Sequence, residues 1–467
     1  MNRFIIVGIM ALAIVTALSH VYIFDVREEL EDRPSDRLGD YGVYVGRAKS
    51  LLATGTFNYR GTGYFNNSDH GPGYPTMIAL AFLLLGANKA AIVVLNLICF
   101  AGAVFFLWRI SRYFLAGGWE FVPPFMLAVF WGAFTRVALP NYELFSLLLI
   151  TLFFFSFFRY REAHSLLWLA LSALVFAIWV LERPIVLYFF PISLFFLLVW
   201  RAGRRKEALT AFIIFLTIAG MAIGLWSLRN KSVSDTWQLG TSGTVIIRKA
   251  SQLDFTYKEI ASMMASFSMG NLLSSQLIPF YPADGKPKTW DPAIDRRLKQ
   301  IGWLDAKEWM VTDIDGEVLT RVELDQKMMR ESVTKIKEGN PIKFFLTGVA
   351  GFLRLNAPMN YSGQEMMDLF FGARNNISPA LKIGIILAIR GIWFSFLCVI
   401  LFAILSHLKD WRTWGFLALY LFYHNGMYAF LTHAEVRYTL MAMPLYFLFF
   451  AEGLRLLFVR YRHLLFA

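Results

Sequence analysis

The stretch FIIVGIMALAIVTALSHVYIF, residues 4–24, decides the class of fold because it contains no Asp, Glu, Lys or Arg. A membrane-spanning helix needs about 20 consecutive apolar residues, so this run predicts a helix that crosses a bilayer. Arg3 precedes the run, and Ala17-Leu18-Ser19 is similar to a signal-peptide cleavage site. Because the apolar run continues to Phe24, we expect an uncleaved signal anchor.

Apolar runs of this kind recur along the chain of 467 residues, which is 57% hydrophobic and 17% charged and has a mean hydropathy of +0.51. A soluble domain of this length could not bury so much apolar surface. The net charge of +12 would suggest nucleic acid as a partner of a soluble protein. Here the Lys and Arg residues lie in short loops between apolar runs, as the positive-inside rule requires. We therefore expect membrane lipids as partners and no nucleic acid.

The basic clusters, when placed in the cytoplasm, give a consistent alternation of spans. They predict an all-α polytopic membrane protein of roughly 10–12 transmembrane helices, with both termini in the cytoplasm. We favour ten spans and interpret the segments 76–87 and 342–357 as interfacial helices. As full spans they would move Arg109 and the Arg201–Lys206 cluster outside. The predicted spans are residues 4–24, 89–109, 121–139, 144–158, 165–181, 185–200, 208–227, 380–406, 413–431 and 438–457.

The loop at residues 25–75 is far longer than the connection of a few residues that neighbouring helices of a bundle need. It contains Asp40-Tyr41, an amphipathic run at Val43–Leu52, and the elbow His70-Gly71-Pro72-Gly73-Tyr74-Pro75. The runs Val43–Leu52 and Thr76–Leu85 predict two interfacial helices with the elbow between them. An acid, several aromatic residues and a Gly/Pro bend in one loop indicate that the chemistry is located here.

The chain is predicted to have three regions: an N-terminal transmembrane module (1–227), a soluble extracytoplasmic region (228–341) and a C-terminal membrane region (342–467). The soluble region is expected to form a small α or α/β domain. Leu319–Glu338 has helical periodicity with mixed charges. Asp313-Ile314-Asp315-Gly316 is similar to the start of a calcium loop, but no glutamate follows at the required spacing. We therefore predict no calcium site.

Ionisable residues recur at the turns that this topology places outside. Such groups at the ends of membrane helices are energetically costly, which makes them candidates for function. Each one alone is also explained as a snorkelling arginine or a helix cap. Together they suit a site in which a carboxylate acts as a general base and arginines bind a phosphate leaving group. The set comprises Asp40, Arg136, Glu143, Glu182, Arg183, Arg229, His433, Glu435, Arg437 and Tyr438.

The order of six short motifs resembles that of the C-type glycosyltransferase (GT-C) superfamily, integral membrane enzymes that use polyprenyl-phosphate sugars. The superfamily includes protein O-mannosyltransferases, lipid A aminoarabinose transferases and rhizobial lipopolysaccharide-core transferases. The resemblance covers residues 1–227 and the last helix, and says little about 245–377. The motifs are Asp40-Tyr41 with Tyr44, Ala48, Leu51 and Gly55; Pro72-Gly73-Tyr74-Pro75; Tyr142-Glu143-Leu144-Phe145; Arg183-Pro184; Arg229-Asn230; and Arg437-Tyr438 with Pro444.

This resemblance implies an inverting glycosyltransferase of the hexosyl or pentosyl class. Its partners would be a polyprenyl-phosphate-linked sugar donor and a lipid, glycan or protein acceptor. Asp40 would be the catalytic base, and Glu143 would orient the acceptor or assist Asp40. The implied location is the bacterial inner membrane, with the active site facing the periplasm. The donor phosphate would be bound by Arg229, Arg437 and Arg183, and the substrates by Tyr41, His70, Tyr74, Tyr438 and Glu435.

The chain departs from the pattern of the superfamily at two positions. Many relatives have a second acid next to the first-loop aspartate, whereas here Gly39 precedes Asp40, which weakens a two-carboxylate metal site. His70 could join Asp40 at a metal, but a histidine beside a Gly/Pro turn is more often a structural hydrogen-bonding group. The residues therefore support no metal site, although a divalent metal is possible, and they identify no cofactor. Glu182 precedes Arg183 where a neutral residue is common, so it pairs with an arginine or marks a different acceptor.

Two other functions remain as alternatives. A transporter or lipid-linked-sugar flippase would have charges near the midpoints of helices and often inverted repeats. Arg390 is the clearest such charge, and no internal repeat is visible. An O-antigen ligase or polymerase would usually have its large loop late in the chain and no catalytic-looking first loop. The early polar loop favours the glycosyltransferase over both.

Overall fold

A computed structural model describes residues 2–23, 40–57, 71–200, 203–240, 243–269, 310–357, 378–432, 434 and 436–465. These residues are helical apart from short connections and one two-stranded hairpin. The first part contains α1 (Asn2–Ile23), α2 (Asp40–Thr54), α3 (Gly73–Leu85), α4 (Lys89–Phe114), α5 (Val122–Ala128), α6 (Trp131–Phe134), α7 (Glu143–Ala163), α8 (Leu166–Glu182), α9 (Phe190–Trp200) and α10 (Arg205–Ser234). The second part contains α11 (Gly243–Ser251), α12 (Tyr257–Met269), β1 (Met310–Thr312), β2 (Val318–Thr320), α13 (Arg321–Glu338), α14 (Pro341–Leu355), α15 (Pro379–Ser406), α16 (Trp411–Leu431) and α17 (Met443–Leu465).

Six helices in the described ranges are long and apolar enough to cross a membrane. The protein is therefore an integral, multi-pass membrane protein, and the predicted all-α polytopic architecture is confirmed. Three further apolar helical segments are shorter, at Gly73–Leu85, Leu166–Glu182 and Pro184–Trp200. The six long segments are Arg3–Tyr22, Lys89–Phe114, Glu143–Ala163, Arg205–Val233, Ile383–Ser406 and Arg437–Tyr461.

Contacts between distant helices define one end of the bundle, which we call the basic end. Trp200, the last residue of α9, donates from Nε1 to the carbonyl of Arg412 in α16 at 2.7 Å. The guanidinium of Arg161, near the end of α7, lies 4.9 Å from the centroid of the Trp200 ring. Trp119, before α5, packs against Phe458 of α17. The predicted cytoplasmic turns thus meet at one end. The predicted outer turns meet at the other, where Arg183 contacts the rings of Tyr142 and Tyr438, and we call it the site end.

The predicted span 121–139 is wrong as a single helix, because α5 ends at Ala128 and α6 has only four residues. Backbone outside a helix is tolerated at membrane depth only where protein groups satisfy its hydrogen bonds. Asn96 of α4 provides them here: its Nδ2 donates to the carbonyls of Val137 at 3.0 Å and Leu139 at 2.8 Å. The apolar composition of this segment does not reveal a hydrogen bond that comes from another helix.

The two helices predicted in the first loop are confirmed as α2 and α3. Tyr44 and Ala48 lie on one buried face of α2, and the Tyr44 ring meets that of Tyr74 in α3 edge-on at 5.6 Å. Gly55 follows the last residue of α2 and has a φ of +69°, which a residue without Cβ adopts at little cost. The first loop therefore packs on the bundle through aromatic contacts.

The helix predicted at 319–338 is confirmed as α13. Thr320 caps it: the hydroxyl accepts from the amide of Glu323, and the Glu323 carboxylate accepts from the backbone and the hydroxyl of Thr320. These hydrogen bonds favour the ionised carboxylate and lower the pKa of Glu323. This reciprocal arrangement satisfies amides that the first turn of a helix leaves without a partner. The division of the chain into three regions stays a prediction.

The hairpin β1–β2 contains the turn that is similar to a calcium loop. Gly316 in this turn has a φ of +82°. The ammonium group of Lys327, on α13, lies 2.8 Å from Asp313, 2.9 Å from Asp315 and 2.9 Å from Glu317. Hydrogen bonds to the three carboxylates raise the pKa of Lys327. A lysine therefore occupies the space between these acids.

Two contacts within the second part of the chain join α14 to α16 and α12 to α15. Helix α14 approaches α16 closely, since a Cβ at Gly351 would lie 2.5 Å from the carbonyl oxygen of Ala429. Arg390 of α15 donates from Nη1 to the carbonyl of Phe267, in the last turn of α12, at 3.0 Å. Arg390 thus binds one of the carbonyls that the end of a helix leaves without an internal partner.

Candidate functional site

Arg183 lies at the centre of an aromatic cluster at the site end. It follows the last residue of α8, and its guanidinium carbon lies 3.7 Å from the centroid of the Tyr142 ring and 5.0 Å from that of Tyr438. Its Nε and Nη2 atoms are buried and have no hydrogen-bond partner among the residues that the structure describes. Contact with aromatic faces holds a guanidinium by cation–π attraction and leaves its edge to bind an anion.

Arg437 faces the same tyrosine. Its guanidinium carbon lies 5.5 Å from the centroid of the Tyr438 ring, which itself packs on Tyr428 at 4.7 Å. Both residues belong to the 3₁₀ segment Val436–Ala442 that precedes α17. Two arginines from distant parts of the sequence, Arg183 and Arg437, therefore meet at one aromatic ring.

Glu143 begins α7, next to Tyr142, and is fully buried. A carboxylate at the first turn of a helix is stabilised by the helix dipole. Glu143 is also within electrostatic range of Tyr428 and of Glu182. The neighbouring Asn141 is fully buried, and its side-chain Oδ1 and Nδ2 have no hydrogen-bond partner in the part of the chain described. Polar groups of this kind need a bound water or ligand.

Arg47 belongs to the site, although the sequence analysis did not select it. Its side chain is 1% exposed, and it is within electrostatic range of Glu182 and of Arg229. The available signal was helical periodicity, because Arg47 shares the buried face of α2 with Tyr44 and Ala48. A buried arginine on the inner face of an amphipathic helix requires a partner, which makes it a candidate for function.

Arg229 lies at the side of this cluster, near the end of α10. Its guanidinium carbon lies 4.8 Å from the Trp226 ring, and its Nη1 donates to Oδ1 of Asn230 at 3.0 Å. Trp226 meets Phe57, which follows α2, edge-on at 5.6 Å. The structure therefore places Arg229 beside α2 and Arg47, whereas Arg183 and Arg437 lie around Tyr438.

Several predicted site residues have no described side chain. Asp40 and Tyr41 are the first residues of α2, so the structure locates their backbone at the start of that helix. His70 and Glu435 lie outside the described residues. Tyr74 is fully buried, and its hydroxyl donates to Oδ1 of Asn96 at 2.9 Å. Tyr74 thus forms part of the wall of the site.

A buried polar network holds the segment that carries Arg437. His424 of α16 lies with Nε2 at 3.1 Å from the carbonyl oxygen of Tyr438, and the Thr439 hydroxyl donates to the carbonyl of Leu355. The next residue, Asn425, donates to the Tyr446 hydroxyl at 2.7 Å. A His-Asn pair inside the otherwise apolar run 413–431 was the sequence signal for this network. Such buried hydrogen bonds fix the arginine segment in one geometry.

Lys249 of α11 lies beside this network and contacts the end of α16. It is 1% exposed, and its ammonium group donates to the carbonyl of Ala429 in the last turn of α16 at 3.1 Å. Burial lowers the pKa of Lys249 to about 7. Over the described ranges, no group of three or more His, Cys, Asp or Glu side chains is arranged to hold a metal ion.

The sequence matches no protein-family model, and no curated protein matches it significantly. Among solved structures, the chain is similar to the oligosaccharyltransferase AglB of Archaeoglobus fulgidus in complex with an inhibitory peptide and a dolichol-phosphate, at 14% identity and a TM-score of 0.49; the alignment covers 99% of this chain and 52% of that one. It is also similar to ArnT of Cupriavidus metallidurans bound to undecaprenyl phosphate, at 10% identity and a TM-score of 0.37, with coverage of 96% and 77%. The chain spans about half the length of the archaeal enzyme.

Proposed function

We propose that the chain is an integral membrane glycosyltransferase. It transfers a sugar from a polyprenyl-phosphate donor to a hydroxyl of a lipid, glycan or protein acceptor on the extracytoplasmic side of a bacterial inner membrane. One observation carries the proposal: Arg183 and Arg437 converge on Tyr438 at the end of the bundle where the buried Glu143 begins α7. Cations and a carboxylate at one end of an apolar bundle suit the transfer of a group from a lipid-linked phosphate.

Arg183 and Arg437 have the chemistry needed to bind the phosphate that leaves the donor. A guanidinium binds phosphate oxygens with two parallel hydrogen bonds and keeps its charge when it is partly buried. Arg183 and Arg437 would bind the donor phosphate and stabilise the charge that develops on it as the glycosidic bond breaks. Arg229, beside Arg47, would bind the same phosphate from the side of α2. The prenyl chain of the donor would remain in the bilayer.

The reaction needs a base for the acceptor hydroxyl. Asp40, at the start of α2, would take its proton while the hydroxyl oxygen attacks the anomeric carbon. The bond from that carbon to the phosphate oxygen breaks, polyprenyl phosphate leaves, and the configuration inverts. Glu143 would orient the acceptor hydroxyl from the start of α7. Tyr41, His70, Glu435 and Tyr438 remain the proposed substrate contacts.

The contact of Arg390 favours an enzyme over a transporter. Arg390 was the clearest charge inside a predicted span, and a transporter would use such a charge on its substrate path. Its guanidinium instead donates to the carbonyl of Phe267, at the end of α12. It therefore has a structural role, and the acids and arginines of the site lie at one end of the bundle.

Binding of the donor phosphate tests the proposal. The substitution Arg437→Ala should weaken the binding of polyprenyl phosphate about 10- to 150-fold, because a hydrogen bond to a charged group contributes about 1.5–3 kcal/mol. Acceptor binding should change little. The matched control is Arg112→Ala, since Arg112 lies 5.2 Å from the Trp108 ring in the last turns of α4, near the basic end. Unchanged donor affinity in the Arg437 variant would remove this residue from the site.

A further inference from the structure

Glu182 is a buried carboxylate that the proposed reaction does not use. It is the last residue of α8 and is 5% exposed. Its Oε2 atom accepts a hydrogen bond from the backbone amide of Tyr74 at 2.6 Å. The acceptor and the donor are 108 residues apart in the chain, so this single bond connects the end of α8 to the start of α3.

The start of α3 needs such a partner. The first amides of a helix have no acceptor within the helix, and they are usually capped by the side chain of the preceding residue. Here that residue is Pro72, whose side chain accepts no hydrogen bond. A Cβ at Gly71 would lie 1.5 Å from the carbonyl oxygen of Leu181, so glycine allows the elbow to approach α8. Glu182 therefore caps α3 from another helix.

Tyr74 extends this contact towards the turn that precedes Glu143. Its hydroxyl donates to Oδ1 of Asn96 at 2.9 Å. Asn96 in turn donates from Nδ2 to the carbonyls of Val137 and Leu139, in the non-helical segment before α7. Tyr74 thus links the carboxylate of Glu182, through its backbone amide, to Asn96, through its hydroxyl, and Asn96 contacts the segment that precedes Tyr142 and Glu143.

We propose that Glu182 is a positioning residue: it fixes Gly71-Pro72 and the start of α3 against the turn that presents Glu143, and so sets the geometry on the acceptor side of the site. The kinetic consequence rests on the proposed glycosyltransferase function, whereas the structural consequence does not. Glu182 acts as a hydrogen-bond acceptor in this role. A glutamine, which keeps an acceptor oxygen, should preserve the role, and an alanine should abolish it.

Hydrogen exchange tests the structural consequence without any activity. In Glu182→Ala the amide of Tyr74 should exchange about tenfold faster or more, because the loss of a hydrogen bond lets the first turn of α3 open. In Glu182→Gln the rate should stay close to that of the wild type. The matched control is Glu162→Ala, which removes an exposed glutamate near the other end of α7. Equal exchange at Tyr74 in wild type and Glu182→Ala would overturn the proposal.

Kinetics test the functional consequence. Glu182→Ala should lower kcat about 10- to 100-fold, since small displacements of catalytic groups have effects of this size. Its affinity for polyprenyl phosphate should remain within about twofold, whereas general destabilisation of the protein would reduce both. Glu182→Gln should recover most of the turnover; a glutamine variant as impaired as the alanine variant would contradict the proposal. If the wild type transfers no sugar, the glycosyltransferase proposal fails, and the exchange of Tyr74 still decides the role of Glu182.

Discussion

Replacement of Arg183 tests the proposed phosphate-binding site. Arg183 is suited to this test because two aromatic rings fix the position of its guanidinium. The guanidinium carbon lies 3.7 Å from the Tyr142 ring and 5.0 Å from the Tyr438 ring. Two rings hold one side chain, so its edge has a fixed direction before any ligand binds. A group oriented in advance loses little conformational entropy on binding, which strengthens its contribution to affinity.

The magnitude follows from two separate contributions. A charge-assisted hydrogen bond to phosphate contributes about 1.5–3 kcal/mol, so Arg183→Ala should weaken donor binding roughly 10- to 150-fold. The contact with the rings contributes about 0.5–2 kcal/mol, and its loss acts on the folded protein with or without donor. We therefore expect a large effect on donor affinity and a small decrease in thermal stability.

The assay is binding of polyprenyl phosphate to detergent-purified protein, in parallel with thermal unfolding. Arg183→Lys keeps the charge but loses the planar pair of donors, so its affinity should lie between those of wild type and the alanine variant. The matched control is Arg161→Ala, because Arg161 lies 4.9 Å from the Trp200 ring at the basic end. Equal losses in the Arg161 and Arg183 variants, or a wild-type affinity in Arg183→Ala, would refute the reasoning.

Two further predictions concern Lys249 and Gly71. Burial lowers the pKa of Lys249 from 10.5 to about 7. Between pH 7 and 10.5 the lysine is therefore protonated in the unfolded chain and neutral in the folded chain. The free energy of unfolding then rises with pH by up to about 1.4 kcal/mol per pH unit. The melting temperature of the wild type minus that of Lys249→Met should increase from pH 7 to 9; a flat or falling difference would contradict this pKa. Gly71→Ala should destabilise by about 1–3 kcal/mol or more, because its Cβ would lie 1.5 Å from the Leu181 oxygen. Gly220→Ala lies inside α10 with no atom within 4 Å of the added Cβ, so it should not lower thermal stability. Equal stability of the two variants would argue against the close approach.

The features of the fold that depend on local composition could be predicted from the sequence. The long apolar runs predicted the six helices of the described ranges that are long and apolar enough to cross a membrane, and the amphipathic run Val43–Leu52 predicted α2. The periodicity of Leu319–Glu338 predicted α13. Each of these signals lies within the element that it describes. The break in the predicted span 121–139 could not be foreseen, because Asn96 on another helix stabilises it.

In the candidate site, too, the sequence predicted individual residues but not the contacts between distant elements. Glu143, Arg183 and Arg437 were selected because ionisable residues at the ends of membrane helices are rare. The sequence could not show that both arginines face the ring of Tyr438, because that contact joins elements far apart in the chain. Arg47 was missed because one basic residue in an amphipathic helix usually lies on its solvated face.

Turnover of an Asp40 variant tests the central claim most directly. The wild-type protein, given a radiolabelled polyprenyl-phosphate sugar and an acceptor with free hydroxyls, should release polyprenyl phosphate and label the acceptor. Asp40→Asn should bind the donor and remain folded, yet transfer no sugar, whereas the control Asp410→Asn, in the turn before α16, should transfer normally. Sugar transfer by Asp40→Asn at the wild-type rate would contradict the account.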